Sequence, residues 1–192
     1  MDFDKVITAR RSIRRYEQKS VADEDLRNLI DWARFAPSGG NCQKLRFLVI
    51  RNAACAEKIF AQTAWAKLVY PRRSPVWGKD APQTFIALTA EEKDISSTLY
   101  ADAGAAVQNI LLGACSLGLG TCWIGAFNKE KVHEILGLET STRVVFLVAV
   151  GYSAEDPVGE ETDDENNVQY YLDENDRLHV PKLTVEKICK WI

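Results

Sequence analysis

The chain has 192 residues, 27 acidic against 24 basic side chains for a formal charge of −3, and a hydrophobic share of 46% that includes five Trp, seven Phe and six Tyr. That length predicts one domain with decorated ends, and this much apolar surface excludes a disordered chain, because its burial offsets the entropy of ordering. A weakly acidic whole excludes a general nucleic-acid binder, which needs a broad basic face.

Met1-Asp2-Phe3-Asp4 lacks the basic start and apolar core of a signal peptide. Phe3, Val6 and Ile7 fall at helical spacing over Asp2 to Arg10, and this short helix runs into Arg10-Arg11-Ser12-Ile13-Arg14-Arg15-Tyr16. Asp23 reads as the N-cap of a second helix through about Phe35, with Leu26, Leu29, Ile30 and Ala33 on one face, and Pro37-Ser38-Gly39-Gly40-Asn41 ends it. Phe47 to Ile50 and Thr84 to Leu88 read as strands. Between them lie a helical stretch from about Asn52 and an aromatic segment, Trp65 to Pro82, that reads as a packed cover or long loop.

From Ser97 to about Leu117 the sequence is small and apolar nearly all round, which predicts a helix buried in the core or at a subunit interface, closed by Gly118. Gly120 to Trp123 reads as a strand, Lys129 to Leu136 as a helix and Val144 to Val150 as a buried strand. That last run is the longest apolar stretch and is far short of the ~18 residues of a membrane span, so a cytoplasmic protein is expected. Alternating strands and helices imply a layered α/β or α+β domain. After Gly151 the pattern changes: Glu155 to Glu165 carries seven carboxylates and no base. Tyr170-Tyr171-Leu172, a turn at Asp173 to Asp176 and Leu178-His179-Val180 then suggest a small hairpin, and an amphipathic helix from Val185 to Trp191 follows.

Arg10, Arg14 and Ser12 offer guanidiniums and a hydroxyl within one loop, the donor set that best recognises a phosphate; the alternative is a solvated basic face. Pro37 to Gln43 places a hydroxyl and amides beside glycines where backbone can approach a polar heterocycle, or else makes only a helix cap and turn. Gly118 to Gly125 is not a dinucleotide fingerprint, since Trp123 stands where Gly is needed and a helix, not a strand, precedes it. The five cysteines form no Cys-x-x-Cys pair and read as buried apolar residues, so no metal site is expected, and nothing in the spacing activates Cys122 beside His133 as a nucleophile. Trp65, Tyr70 and Trp77 are candidates to stack an aromatic substrate, with core packing as the alternative.

Together, Arg10 to Arg14, Ala36 to Gln43 and Leu117 to Gly125 resemble, in this order, three motifs of the nitroreductase family of FMN-dependent oxidoreductases. The resemblance covers nearly the whole chain. It implies a layered α/β/α sandwich, an α+β fold with a central, mostly antiparallel sheet flanked by helices, in a homodimer with FMN at the subunit interface. Residues 1–151 would form the FMN-binding core and residues 152–192 an extension of the same domain. The resemblance implies Arg10, Arg11, Ser12 and Arg14 around the phosphate, with Arg14 reaching the pyrimidine edge. Pro37, Ser38 and Gly39 would come from the partner chain, Asn41 and Gln43 belong to the same cofactor-binding motif, and the backbone of Ile124 and Gly125 would face flavin N5. The chain departs from the family pattern after Gly151, where an acidic run replaces a basic pair; Lys182 is the candidate third phosphate contact, and Leu183 stands where a related subgroup has Arg.

The activity so implied is hydride transfer from NAD(P)H to FMN, followed by reduction of a nitroaromatic, quinone or other flat acceptor in a ping-pong cycle. Other readings are a specialised relative such as a dehalogenase or flavin-destroying enzyme, and a protein that stores or senses FMN without turnover.

Overall fold

The computed structural model describes residues 2–91 and 95–192; Met1, which enters the signal-peptide reading, lies outside them. Strands β1 (Leu45–Ile50), β2 (Thr84–Glu91), β3 (Gly120–Ile124) and β4 (Thr142–Gly151) form one sheet in the order β1-β2-β4-β3, with every neighbouring pair antiparallel. β2 and β4 are central and apolar on both faces, so their side chains divide between two cores. Ile86, Leu88, Val148 and Val150 belong to one; Phe85, Ala87, Leu147 and Ala149 belong to the other. The register slips so that Thr89 faces Val144 while Leu88 faces Phe146. Val145 is thus an extra residue, and this bulge breaks the alternation, so that the neighbours Val145 and Phe146 both face the first core while Val144 faces the second.

Helices cover both faces. On one side α2 (Asp23–Ala33) and α4 (Ser97–Ser116) pack on each other and on the sheet, and α1 (Phe3–Ala9) leans on α4. On the other side lie α3 (Ala53–Phe60) and α5 (Lys129–Leu136). Asn52, Ser96 and Asn128 cap α3, α4 and α5 by accepting from the amide three residues on. The cap of α2 corrects the sequence reading: Ala22 holds that position with no side-chain bond, and Asp23 is the first helical residue. α4 is also less enclosed than its composition suggests, for it buries a stripe from Leu99 to Ala114 while Tyr100, Ala101 and Gln108 are exposed.

Residues 65–82 contain only a 3-10 turn, Lys67–Val69, and are otherwise irregular. The acidic stretch is not a plain loop. It contains β5 (Val158–Thr162), which pairs in parallel with β7 (Leu178–Leu183); β7 in turn pairs antiparallel with β6 (Tyr171–Leu172), giving a second sheet in the order β5-β7-β6. The final helix, α6, is one turn, Val185–Ile188, and stops short of Trp191. Among the described residues, no helix is long and apolar enough to cross a membrane.

Candidate functional site

The arginine loop rests across the paired ends of β3 and β4. Ile13 N donates to Thr121 O at 2.8 Å, Glu17 N to Tyr152 O at 2.9 Å, and Ala154 N to Arg15 O at 2.9 Å. Two glycines that face each other across the ladder, Gly120 and Gly151, make room for it. A Cβ on Gly120 would stand 2.8 Å from Ile13 Cγ1, and one on Gly151 2.8 Å from Tyr16 Cδ1. Tyr16 is 1% exposed and its hydroxyl donates to Ile13 O at 2.6 Å; burial pushes its phenol well above the ordinary range, so it stays a neutral prop.

The loop's four guanidiniums have different fates. Arg11 donates to Thr8 O at 2.8 Å and Arg10 O at 2.7 Å, and lies so close over Gly159 of β5 that a Cβ there would overlap it. Burial lowers its pKa. Arg15 donates to Arg72 O and pairs with Asp80 at 3.6 Å and Asp176 at 3.5 Å. Arg14 lies 5.0 Å from the centre of the Tyr170 ring, a cation–π contact. Among the described residues neither Arg10 nor Arg14 forms an ion pair. Ser12, half-buried, bridges to Thr121.

A pocket of about 200 Å³ runs from Arg10 and Arg11 past Cys115 and Thr121 to Glu155. Behind the loop, burial pushes the Cys122 thiol up to about 11, while His133 Nε2 lies 3.0 Å from Glu139 O. That thiol is neutral at physiological pH, and among the described residues it forms no bond to a base, which argues against the nucleophile reading. The expectation of five buried cysteines is corrected: only Cys122 is buried, Cys42 and Cys189 are exposed, and Cys55 and Cys115 are half-buried. Ile124 is buried at the end of β3, and the exposed Gly125 follows it.

The Pro37–Gln43 motif is built on the other end of α4. After α2 the chain makes a 3-10 turn, Gly39–Asn41, in which Gly40, Asn41 and then Gln43 take positive φ of 57°, 54° and 49°. Gly39 N donates to Asp102 Oδ1 at 3.0 Å, and a Cβ on Gly39 would meet Thr98 Cγ2 at 2.7 Å. Gln43 N donates to Ser38 Oγ at 3.2 Å. Pro37, Ser38 and Gln43 line a pocket of about 250 Å³ with Arg34, Phe47 and Asp102. Within one chain the two motifs do not meet. Asp102 touches one and Cys115 the other, thirteen residues apart on one helix, or roughly 20 Å at 1.5 Å per residue.

Lys182 stands exposed on β7 opposite Glu161 of β5, and alternation puts it on the sheet face that Arg11 covers at Gly159. The aromatic candidates separate. Trp65 and Trp77 pack on Phe60, with ring centres 6.0 and 5.7 Å away, and so belong to the core. Tyr70 is exposed and lines a pocket of about 520 Å³ with Tyr170, Tyr171 and Arg72.

Two neighbours of the arginine loop escape the sequence reading. Tyr170 underlies Arg14, and Glu155 is a buried acid whose Oε1 accepts from Arg14 N at 2.5 Å. Both are more than 140 residues away in the chain, and the only local signal for Glu155 is its position four residues after a buried strand.

The sequence pattern of the nitroreductase family matches residues 7–152. A protein from Archaeoglobus fulgidus, provisionally named NADH dehydrogenase/NAD(P)H nitroreductase, is 31% identical over 186 residues, covering 93% of this chain and 97% of its own. A nitroreductase family protein from Clostridium novyi NT superposes with a TM-score of 0.68 at 30% identity, over 80% of this chain and 86% of that one. A provisionally named nitroreductase from Desulfovibrio desulfuricans, solved in complex with FMN, superposes with a TM-score of 0.66 at 28% identity, over 86% and 93%. With its antiparallel sheet between two helical layers and a family match that spans most of its length, the chain belongs to the nitroreductase family of oxidoreductases.

Proposed function

We propose that the chain is an FMN-containing, NAD(P)H-dependent reductase that works as a homodimer. The observation that carries this reading is the division of the arginine loop: Arg11 and Arg15 are engaged within the protein, while among the described residues the Arg10 and Arg14 guanidiniums form no ion pair. Cations held on a rigid edge without counter-charge fit an anionic ligand. Arg10, with Ser12 and Lys182, takes the phosphate, and Arg11 ties the loop to β5 from behind. The relative solved with FMN supports that choice of anion.

FMN, when bound, supplies hydride acceptance from NAD(P)H and electron delivery to a nitroaromatic, quinone or similar flat acceptor. The protein's share is position and charge. Arg14 lies at the pyrimidine edge, where a cation stabilises the negative charge that reduction brings. The backbone of Ile124 and Gly125 would be turned to N5, and Tyr70 would contribute to the acceptor pocket. Pro37, Ser38, Gly39, Asn41 and Gln43 reach the ring from the partner chain, because in their own chain they sit at the far end of α4. Residues 1–151 form the core of this unit, and residues 152–192 belong to the same domain through the contacts of Glu155, Gly159 and Tyr170 with the arginine loop.

The test is the visible spectrum of the purified protein, with the released cofactor identified by mass, followed by NADH or NADPH without oxygen. Yellow protein bleached by either nucleotide is expected. A protein that cannot take up FMN sinks the reading, and a bound flavin that neither nucleotide bleaches leaves a storage or sensing protein in its place.

A further inference from the structure

Glu155 has no part in the chemistry above, yet it is among the most enclosed charges of the protein, with its side chain 3% exposed. Its Oε1 accepts from two successive amides, Arg14 N at 2.5 Å and Arg15 N at 3.3 Å. Its Oε2 faces Arg73 Nε at 3.5 Å, and the Arg73 side chain is 6% exposed. Arg73 continues the chain of charges to Asp176, donating to its carbonyl and lying 3.4 Å from Oδ2. Asp176 also holds Arg72 at 2.7 Å and Arg15 at 3.5 Å. Ser153 Oγ donates to Glu155 O at 2.5 Å and accepts from Glu155 N at 3.2 Å, so the acid's own backbone is fixed as well.

A buried ion pair adds little net stability over an apolar pair of the same size. A carboxylate that holds two consecutive amides does fix direction. Here Arg15 turns into the cluster with Asp80 and Asp176, and Arg14 turns away from it onto the Tyr170 ring.

We infer that Glu155 is a positioning residue: by gripping the Arg14 and Arg15 amides, with Arg73 as its buried counter-charge, it sends one arginine into the structural cluster and holds the other facing the ligand. The inference rests on the reading of Arg14 as the cation at the flavin's pyrimidine edge. It gives the first acid of the run from Glu155 to Glu165 a specific task, and it differs in sign from a direct effect. If Glu155 acted only through its own negative field, removing its charge would raise the flavin's midpoint potential. If it acts by aiming Arg14, removing it lowers the potential, as removing Arg14 does.

The experiment compares wild type with Glu155→Gln, Arg14→Ala and the double variant. In protein freed of flavin, the Arg14 and Arg15 amides are expected to exchange with solvent at least about tenfold faster in Glu155→Gln. In reconstituted protein, both single variants are expected to lower the midpoint potential and weaken FMN binding, and the double variant to go no lower than Arg14→Ala. Should Glu155→Gln fail to fold, Glu155→Asp replaces it, since it keeps the charge but is one methylene too short to reach both Arg73 and the amides. A potential that rises or stays put in the folded variant overturns the inference. So do shifts that add in the double variant, or a variant that merely melts earlier with FMN affinity and potential unchanged. A wild-type chain that takes up no FMN overturns the flavin reading itself, and that outcome is told apart by its colourless spectrum.

Discussion

Arg10 and Arg14 carry the ligand reading, so they are where it is most exposed to test. A hydrogen bond to a charged group contributes about 1.5–3 kcal/mol, so Arg10→Ala is expected to weaken FMN binding roughly ten- to hundredfold. An unchanged dissociation constant in fluorescence titration would remove Arg10 from the site. Gly120 is a subtler residue. Its missing side chain leaves space for three Ile13 atoms within 3.0 Å, all near that residue's branched stem rather than at a flexible tip. Gly120→Ala should therefore lift the loop from β3, costing about 1–3 kcal/mol by overpacking and weakening FMN binding in the same variant. Denaturant unfolding and flavin titration read both. If stability falls while affinity holds, the loop's seat and its ligand contacts are independent.

Among the elements, α2 and α4 meet where Gly113 lies under the Trp32 ring, with a Cβ there only 2.2 Å from Cε3. Gly113→Ala must displace an indole that packs against the core, so a loss of about 1–3 kcal/mol in denaturant unfolding is expected. The second sheet depends instead on charge. His179 Nδ1 lies 2.9 Å from Glu160 and Nε2 lies 3.4 Å from Asp173, and Tyr171 stacks on the imidazole at 4.9 Å. The hydrogen bond to Glu160 raises the His179 pKa, while His179 lowers that of Glu160, and the Arg177 amide lowers that of Asp173. A raised histidine contributes stability below its unfolded pKa and loses it as pH rises through the folded value; lowered carboxylates contribute above their unfolded values and lose it as pH falls through the folded ones. Amide protection in β5 to β7, taken relative to base-catalysed intrinsic exchange, should therefore be highest in mildly acidic solution and fall toward alkaline pH. A His179→Gln variant that kept the same profile would refute this assignment.

The core strands and α3 to α5 were legible because hydrophobic periodicity and caps such as Asn52 and Asn128 are local signals. β5 was not, because Val158-Gly159-Glu160-Glu161-Thr162 has a strand's geometry only through its partner β7, twenty residues on. Trp65 and Trp77 were ambiguous for the same reason: whether an aromatic stacks on a substrate or on Phe60 is settled by chain that the local sequence does not contain. The arginines were legible as a group, whereas their sorting depends on Glu155, Gly159 and Asp176 from the other end of the chain.

For the whole molecule, the roughly 20 Å of α4 between the two motifs underlies the proposed composite site. Mixing inactive chains tests it. If Arg10→Ala and Asn41→Ala variants are both inactive homodimers, unfolding and refolding them together should restore about a quarter of wild-type activity, since half the chains pair as heterodimers with one intact site of two. Restoration of none places both motifs' ligands within one chain. The grip of Glu155 on Arg14 has another consequence, concerning time. The two residues are 141 positions apart, so at 5–20 residues per second a nascent chain carries Arg14 without its Glu155 partner for roughly 7 to 28 s before residue 155 is made. A ribosome-bound chain cut short of Glu155 has its arginines but not the geometry that points them.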